Sequence, residues 1–90
     1  MNDLLSESDS RAVLNILVEQ LGVQAAELTP DARLEGDLGA DSLTLVEITI
    51  ALEERFNFTI PDEAWERVAT VADVFEAVAE LLGRPQRRGA

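Results

Sequence analysis

Chemistry in this chain must come from carboxylates, Ser, Thr and Arg, because it has no Cys, His, Tyr or Lys. That excludes a thiolate nucleophile, a Cys-ligated metal, a Ser-His-Asp triad and a Schiff-base lysine. The carboxylate pairs Asp37/Asp41 and Glu53/Glu54 could in principle act as acid and base, but nothing in the pattern buries either pair. An EF-hand alignment beginning at Asp31 places Glu35, Gly36 and Asp37 acceptably. It fails at position 3, which is Arg33, and at position 12, where Ser42 replaces the required Glu. One hydroxyl remains of interest. Ser42 follows Gly36-Asp37-Leu38-Gly39-Ala40-Asp41 at the start of an apolar periodic run. A serine at a helix N-terminus lies where backbone N–H groups favour an anion, so a phosphate attached there would be well placed. The same position also suits an ordinary helix cap.

The elements that must hold Ser42 are helical. Leu14, Leu17, Val18 and Leu21 repeat at helix spacing, Ser6, Ser8 or Asp9 can cap, and Gly22 stops the run, which predicts a helix over 8–21. A connection over 22–40 carries three Gly and one Pro. Its irregular aliphatics Val23, Leu28, Leu34 and Leu38 should pin it to the core, with a short helical turn near 23–27. A second helix is expected over 42–56, capped by Asp41 or Ser42 and ended by Asn57. Residues 57–61 read as extended. A short third helix over 62–67 follows Pro61, and a last helix starts after Thr70 and ends at Gly83. The expected fold is all-α, a four-helix bundle with three long helices, one short third helix and a long loop between helices 1 and 2. Residues 1–7 are expected to be a flexible lead-in, 8–83 the helical domain and 84–90 a basic disordered tail.

The second helix carries two apolar stripes. On a wheel starting at Ser42, Ile48, Leu52, Leu45 and Phe56 cluster between about 240° and 320°, the core face. Leu43, Val46 and Ile50 cluster between about 40° and 100°, with Glu53, Glu54 and Glu47 around them at roughly 20°, 120° and 140°. A bundle helix needs one apolar stripe. A second, with a charged rim, suits protein docking, unless the long loop covers it.

Charge points the same way. The chain has 90 residues and a net charge of −11, and residues 27–80 alone hold 14 acids against 3 Arg. Such a body repels nucleic acid and anionic membranes and attracts basic protein partners. No segment approaches the ~20 apolar residues of a membrane span, and the N-terminus is too acidic for a signal peptide. The expectation is a cytoplasmic monomer.

The stretches TPDARLEGDLGADSLTLVEITIALEERF and TIPDEAWERVATVADV make the sequence similar to the acyl carrier proteins of fatty-acid and polyketide synthesis, across about residues 9–82. The resemblance implies a non-catalytic carrier. It implies that Ser42 receives 4′-phosphopantetheine from coenzyme A through a phosphodiester, with Asp41 and Leu43 beside it. The arm ends in a thiol that holds acyl groups as thioesters, and this chain has no thiol of its own. The resemblance also makes Asp41, Leu43, Val46, Glu47, Ile50, Glu53 and Glu54 the partner face; the wheel selects all of these except Asp41. The implied partners are a phosphopantetheinyl transferase and a ketosynthase, acyltransferase or acyl- or aminoacyl-loading enzyme with basic docking patches. Ile60, Ala64, Trp65 and Val71 are expected near a folded-back acyl chain. Thr44, Arg55, Trp65 and the arginine-rich tail depart from a housekeeping fatty-acid carrier and favour a discrete carrier of a polyketide or related natural-product pathway. A fatty-acid carrier, an amino-acyl or peptidyl carrier and, more remotely, an unmodified adaptor domain are the alternatives.

Overall fold

In the computed structural model, which describes residues 5–83, four α-helices surround one aliphatic core: α1 (Glu7–Leu21), α2 (Ser42–Phe56), α3 (Asp62–Trp65) and α4 (Val71–Gly83). The expected all-α, four-helix architecture is what forms, with three long helices and one short. Residues 1–4 and the expected basic tail over 84–90 lie outside the described residues.

Local chemistry sets the helix ends. The Ser6 hydroxyl accepts a hydrogen bond from Asp9 N at 3.1 Å, so α1 begins at Glu7, one residue earlier than expected. Gly22 and Asn57 end α1 and α2 in the left-handed conformation, at φ 70° and 59°. Glycine reaches that region without penalty, and asparagine tolerates it better than most residues. The expected turn near 23–27 is a 3-10 turn over Ala25–Glu27. Helix α3 is shorter than expected. After Trp65 the chain tightens into i→i+3 bonds, Arg67 N to Ala64 O and Val68 N to Trp65 O, which carry it towards α4.

Packing turns α1 slightly from its expected face. Val13 and Leu17 are fully buried at the centre, while Leu14, Val18 and Leu21 flank them half-buried. That rotation carries Ser10 into the core, where its hydroxyl has no hydrogen-bond partner. A buried hydroxyl without a partner costs free energy, and Ala is the better helix former. Ser10→Ala should therefore raise stability by about 0.5–2 kcal/mol, read as a higher urea midpoint at unchanged m-value. A lower midpoint would show that the hydroxyl has a stabilising role.

The long connection is tied down by aliphatics and by backbone bonds. Leu28, Leu34 and Leu38 are buried as expected, and Val23 is half-buried. Leu34 N donates to Ala69 O at 2.9 Å, Val71 N to Ala32 O at 3.0 Å, and Ala72 N to Pro30 O at 3.1 Å. The connection is thereby fastened to the start of α4. Arg33 and Thr70 form an isolated antiparallel bridge in the same place.

The start of α4 is a reciprocal cap. Asp73 Oδ2 accepts from Ala69 N at 2.8 Å and from Thr70 N at 3.0 Å, and Thr70 Oγ1 accepts from Asp73 N at 3.2 Å. The Ala69 bond, against some desolvation and helped by Thr70, holds the Asp73 carboxyl below its ordinary value of 3.8. A carboxyl lowered by folding stabilises the fold above that ordinary value, and the contribution fades as pH falls through the lowered one. Asp73→Asn should cost about 0.5–2 kcal/mol at neutral pH. Its deficit should shrink as pH falls below 3.8. Parallel stability–pH curves for the two proteins would contradict this.

Candidate functional site

Ser42 is positioned from two directions. Ala40, two residues upstream, is buried and donates through its N–H to Leu34 O at 2.8 Å. Leu38 is buried beside it in sequence, and Gly39 makes the turn between them at φ 77°, a conformation most side chains resist. The loop is thus anchored immediately before the helix. From the other side, Ile48 and Leu52 are fully buried and fix the rotation of α2. Ser42 is left exposed as the first residue of that helix.

Asp41, and not Ser42, provides the cap. Its Oδ1 accepts from Thr44 N at 2.9 Å and from Thr44 Oγ1 at 2.8 Å. These two bonds, the backbone one first, hold the Asp41 carboxyl below its ordinary value. Because Asp41 carries the cap, the Ser42 hydroxyl has no hydrogen bond to any described residue. The N–H groups of the first helical turn ahead of Thr44 have no partner within the helix.

The second apolar stripe of α2 is open. Leu43, Val46 and Ile50 are 64%, 53% and 47% exposed. The connection packs elsewhere, so loop burial does not account for these residues. Glu47 and Glu54 are exposed at the rim. Glu53 differs from them: it is half-buried, and its Oε2 accepts from Ile60 N at 2.8 Å. It ties α2 to the segment before α3. Its wheel position, between the two stripes, was the available signal for this role. The carboxylate pairs also part company. Asp37 accepts from Arg33 N at 2.9 Å while Asp41 caps α2, so each serves its own turn.

The expected wall residues lie between the end of α2 and the first residue of α4. Ile60 and Val71 are buried, and Ala64 and Trp65 are half-buried against the core. An open groove of about 930 Å³ lies elsewhere, between α1 and α2, with Ala12, Ile16 and Ala51 among its lining. Among the described residues, no helix is long and apolar enough to cross a membrane.

The family model described as the phosphopantetheine attachment site matches residues 11–78. The chain is also similar to the acetyl actinorhodin acyl carrier protein from Streptomyces coelicolor, solved in solution. The two share 32% identity at a TM-score of 0.66, over 91% of this chain and 95% of that one.

The chain belongs to the acyl carrier protein family.

Members carry a covalently attached 4′-phosphopantetheine. The donor chemistry at the start of α2 fits such a group. At the start of α2 the Ser42 hydroxyl is exposed and has no competing bond, and an added Cβ at Gly39 would meet nothing within 4 Å.

Proposed function

We propose that Ser42 is the attachment residue and that the protein is a discrete carrier of a polyketide or related natural-product pathway. The observation that carries the attachment is the exposed, unbonded Ser42 hydroxyl at the first position of α2, beside an open apolar stripe. On loading, Ser42 Oγ forms the bond to phosphorus as the pyrophosphate bond of coenzyme A breaks. Adenosine 3′,5′-bisphosphate leaves, and the Ser42 proton passes to the transferase. The attached group supplies a terminal thiol that holds acyl chains as thioesters. The helix N-terminus attracts a phosphate and Asp41 repels it. The dipole's pull is only about 0.3–1 kcal/mol at an exposed site and the Asp41 carboxylate works against it, so this chain does not clamp the phosphate and a tethered arm stays free to swing.

Partners are met on α2. Leu43, Val46 and Ile50 form the apolar centre and Glu47 and Glu54 the acidic rim, a surface suited to the basic patches of a phosphopantetheinyl transferase, ketosynthase or acyltransferase. The net charge of −11 steers such partners in and disfavours acidic ones. The pathway assignment is supported by 32% identity to the actinorhodin carrier and by Thr44, Arg55 and Trp65.

Intact mass after incubation with coenzyme A, Mg²⁺ and a broad-specificity phosphopantetheinyl transferase tests the attachment. One phosphopantetheinyl group should appear on the wild type and none on Ser42→Ala. A folded wild type that gains nothing would point to an adaptor domain. The pathway is tested by giving the loaded carrier to ketosynthases of both kinds, with turnover expected to favour the polyketide type.

A further inference from the structure

Asp41 receives two bonds from one residue. The Thr44 backbone N–H, at 2.9 Å, makes the cap any residue could make there. The Thr44 hydroxyl, at 2.8 Å, adds a bond only Ser or Thr could make at that distance, and both bonds end on Oδ1. One bond leaves a carboxylate free to rock about its terminal torsion, which is broad for Asp. Two donors converging on one oxygen narrow that freedom. No hydrogen bond of comparable length ends on Oδ2, on an exposed side chain adjacent in sequence to the exposed Ser42.

We propose that Thr44 is a positioning residue for the loading of Ser42: its hydroxyl locks the Asp41 carboxylate so that Oδ2 stands as a preset anionic contact for the basic surface of the transferase. This proposal rests on Ser42 being the attachment residue. Thr44 touches neither Ser42 nor coenzyme A in this scheme and acts through Asp41. Its contribution is preorganisation, a side chain that need not be ordered when the partner arrives. It therefore belongs to KM rather than to kcat. The same lock keeps Asp41 charged, consistent with its lowered carboxyl.

The test uses Thr44→Val, which keeps shape and the backbone N–H but removes the hydroxyl, and Thr44→Ser, which restores it. Two quantities are read on the intact chain: KM and kcat for loading by a phosphopantetheinyl transferase, and the Asp41 titration midpoint by NMR on the unloaded protein. Thr44→Val should raise KM roughly twofold to tenfold, the range for releasing one ordered side chain, at unchanged kcat. It should also move the Asp41 midpoint up towards 3.8. Thr44→Ser should return both. An unchanged KM in Thr44→Val overturns the proposal even if the midpoint moves, since the hydroxyl then only caps a helix. An unchanged midpoint overturns it as well, since Thr44 then does not hold Asp41. A wild type that loads at another residue removes the Ser42 assignment itself, which is a different failure from a loaded wild type with an indifferent Thr44→Val.

Discussion

Phe75→Ala should remove a large share of the carrier's stability. Phe75 is 1% exposed and is the largest fully buried side chain of the domain. The other aromatics, Phe56, Phe58 and Trp65, are half-buried at the margin of the core, so none of them backs it up. The other buried hydrophobic members of the core are all aliphatic, among them Leu17, Leu34, Ile48 and Leu52. Deleting a buried ring removes its transfer energy and leaves a cavity that close-packed neighbours fill only in part, together about 3–5 kcal/mol. A domain of this size has on the order of 4–12 kcal/mol in total. Phe75→Leu keeps most of the apolar volume and should lose much less. Urea unfolding followed by circular dichroism compares the three proteins. Near-equal midpoints for wild type and Phe75→Ala would mean that the core is not built around this ring.

Glu53→Ala should be the costliest change on α2 outside its buried stripe. The Ile60 N–H that it satisfies belongs to a buried residue in a part-buried bond, so losing the acceptor leaves a donor poorly satisfied, at about 1–3 kcal/mol. No such cost attends Glu47→Ala or Glu54→Ala, whose carboxylates are exposed. Glu53→Gln separates charge from bonding. The amide oxygen can still accept from Ile60, so stability should fall by less than in Glu53→Ala, although the rim charge is gone equally in both. Amide exchange at Ile60 should quicken strongly in Glu53→Ala and modestly in Glu53→Gln. If Glu53→Ala exchanged and unfolded like Glu54→Ala, Glu53 would be a rim residue only. The bond also bears on docking. A basic partner that draws on Glu53 must compete with the Ile60 N–H, whereas Glu47 and Glu54 can be engaged without that cost.

Much of this molecule could be read from order and spacing alone. Gly22 and Asn57 mark where two helices stop because the left-handed region is open to few other residues. The period of Leu45, Ile48, Leu52 and Phe56 fixes one face of α2, and any compact chain must turn that face inward. The leftover apolar face of Leu43, Val46 and Ile50 then turns away from that core, where the long loop could have covered it, and the structure leaves it open. The absence of Cys already requires that any reactive thiol come from elsewhere.

Other features depended on contacts between residues that no periodicity relates. Ser10 sits on the core face because α1 rotates to bring Val13 and Leu17 to the centre, and that angle is set by the packing of the whole core. Glu53 carries the same charge as Glu54 in the sequence. Its wheel position between the two stripes sets it apart, and the return of the chain to place Ile60 N at 2.8 Å makes it a latch instead of a rim carboxylate. The division at the head of α2, with Asp41 as cap and Ser42 left free, was equally hidden, since either side chain has the chemistry to cap. It was decided by the anchored loop, where Ala40 bonds back to Leu34 and delivers Asp41 in the extended conformation that an N-cap requires. Periodic patterns encode which way a helix faces, because that is a property of one segment. Which polar atom is spent and which stays available is a property of several segments meeting, and only the folded chain decides it.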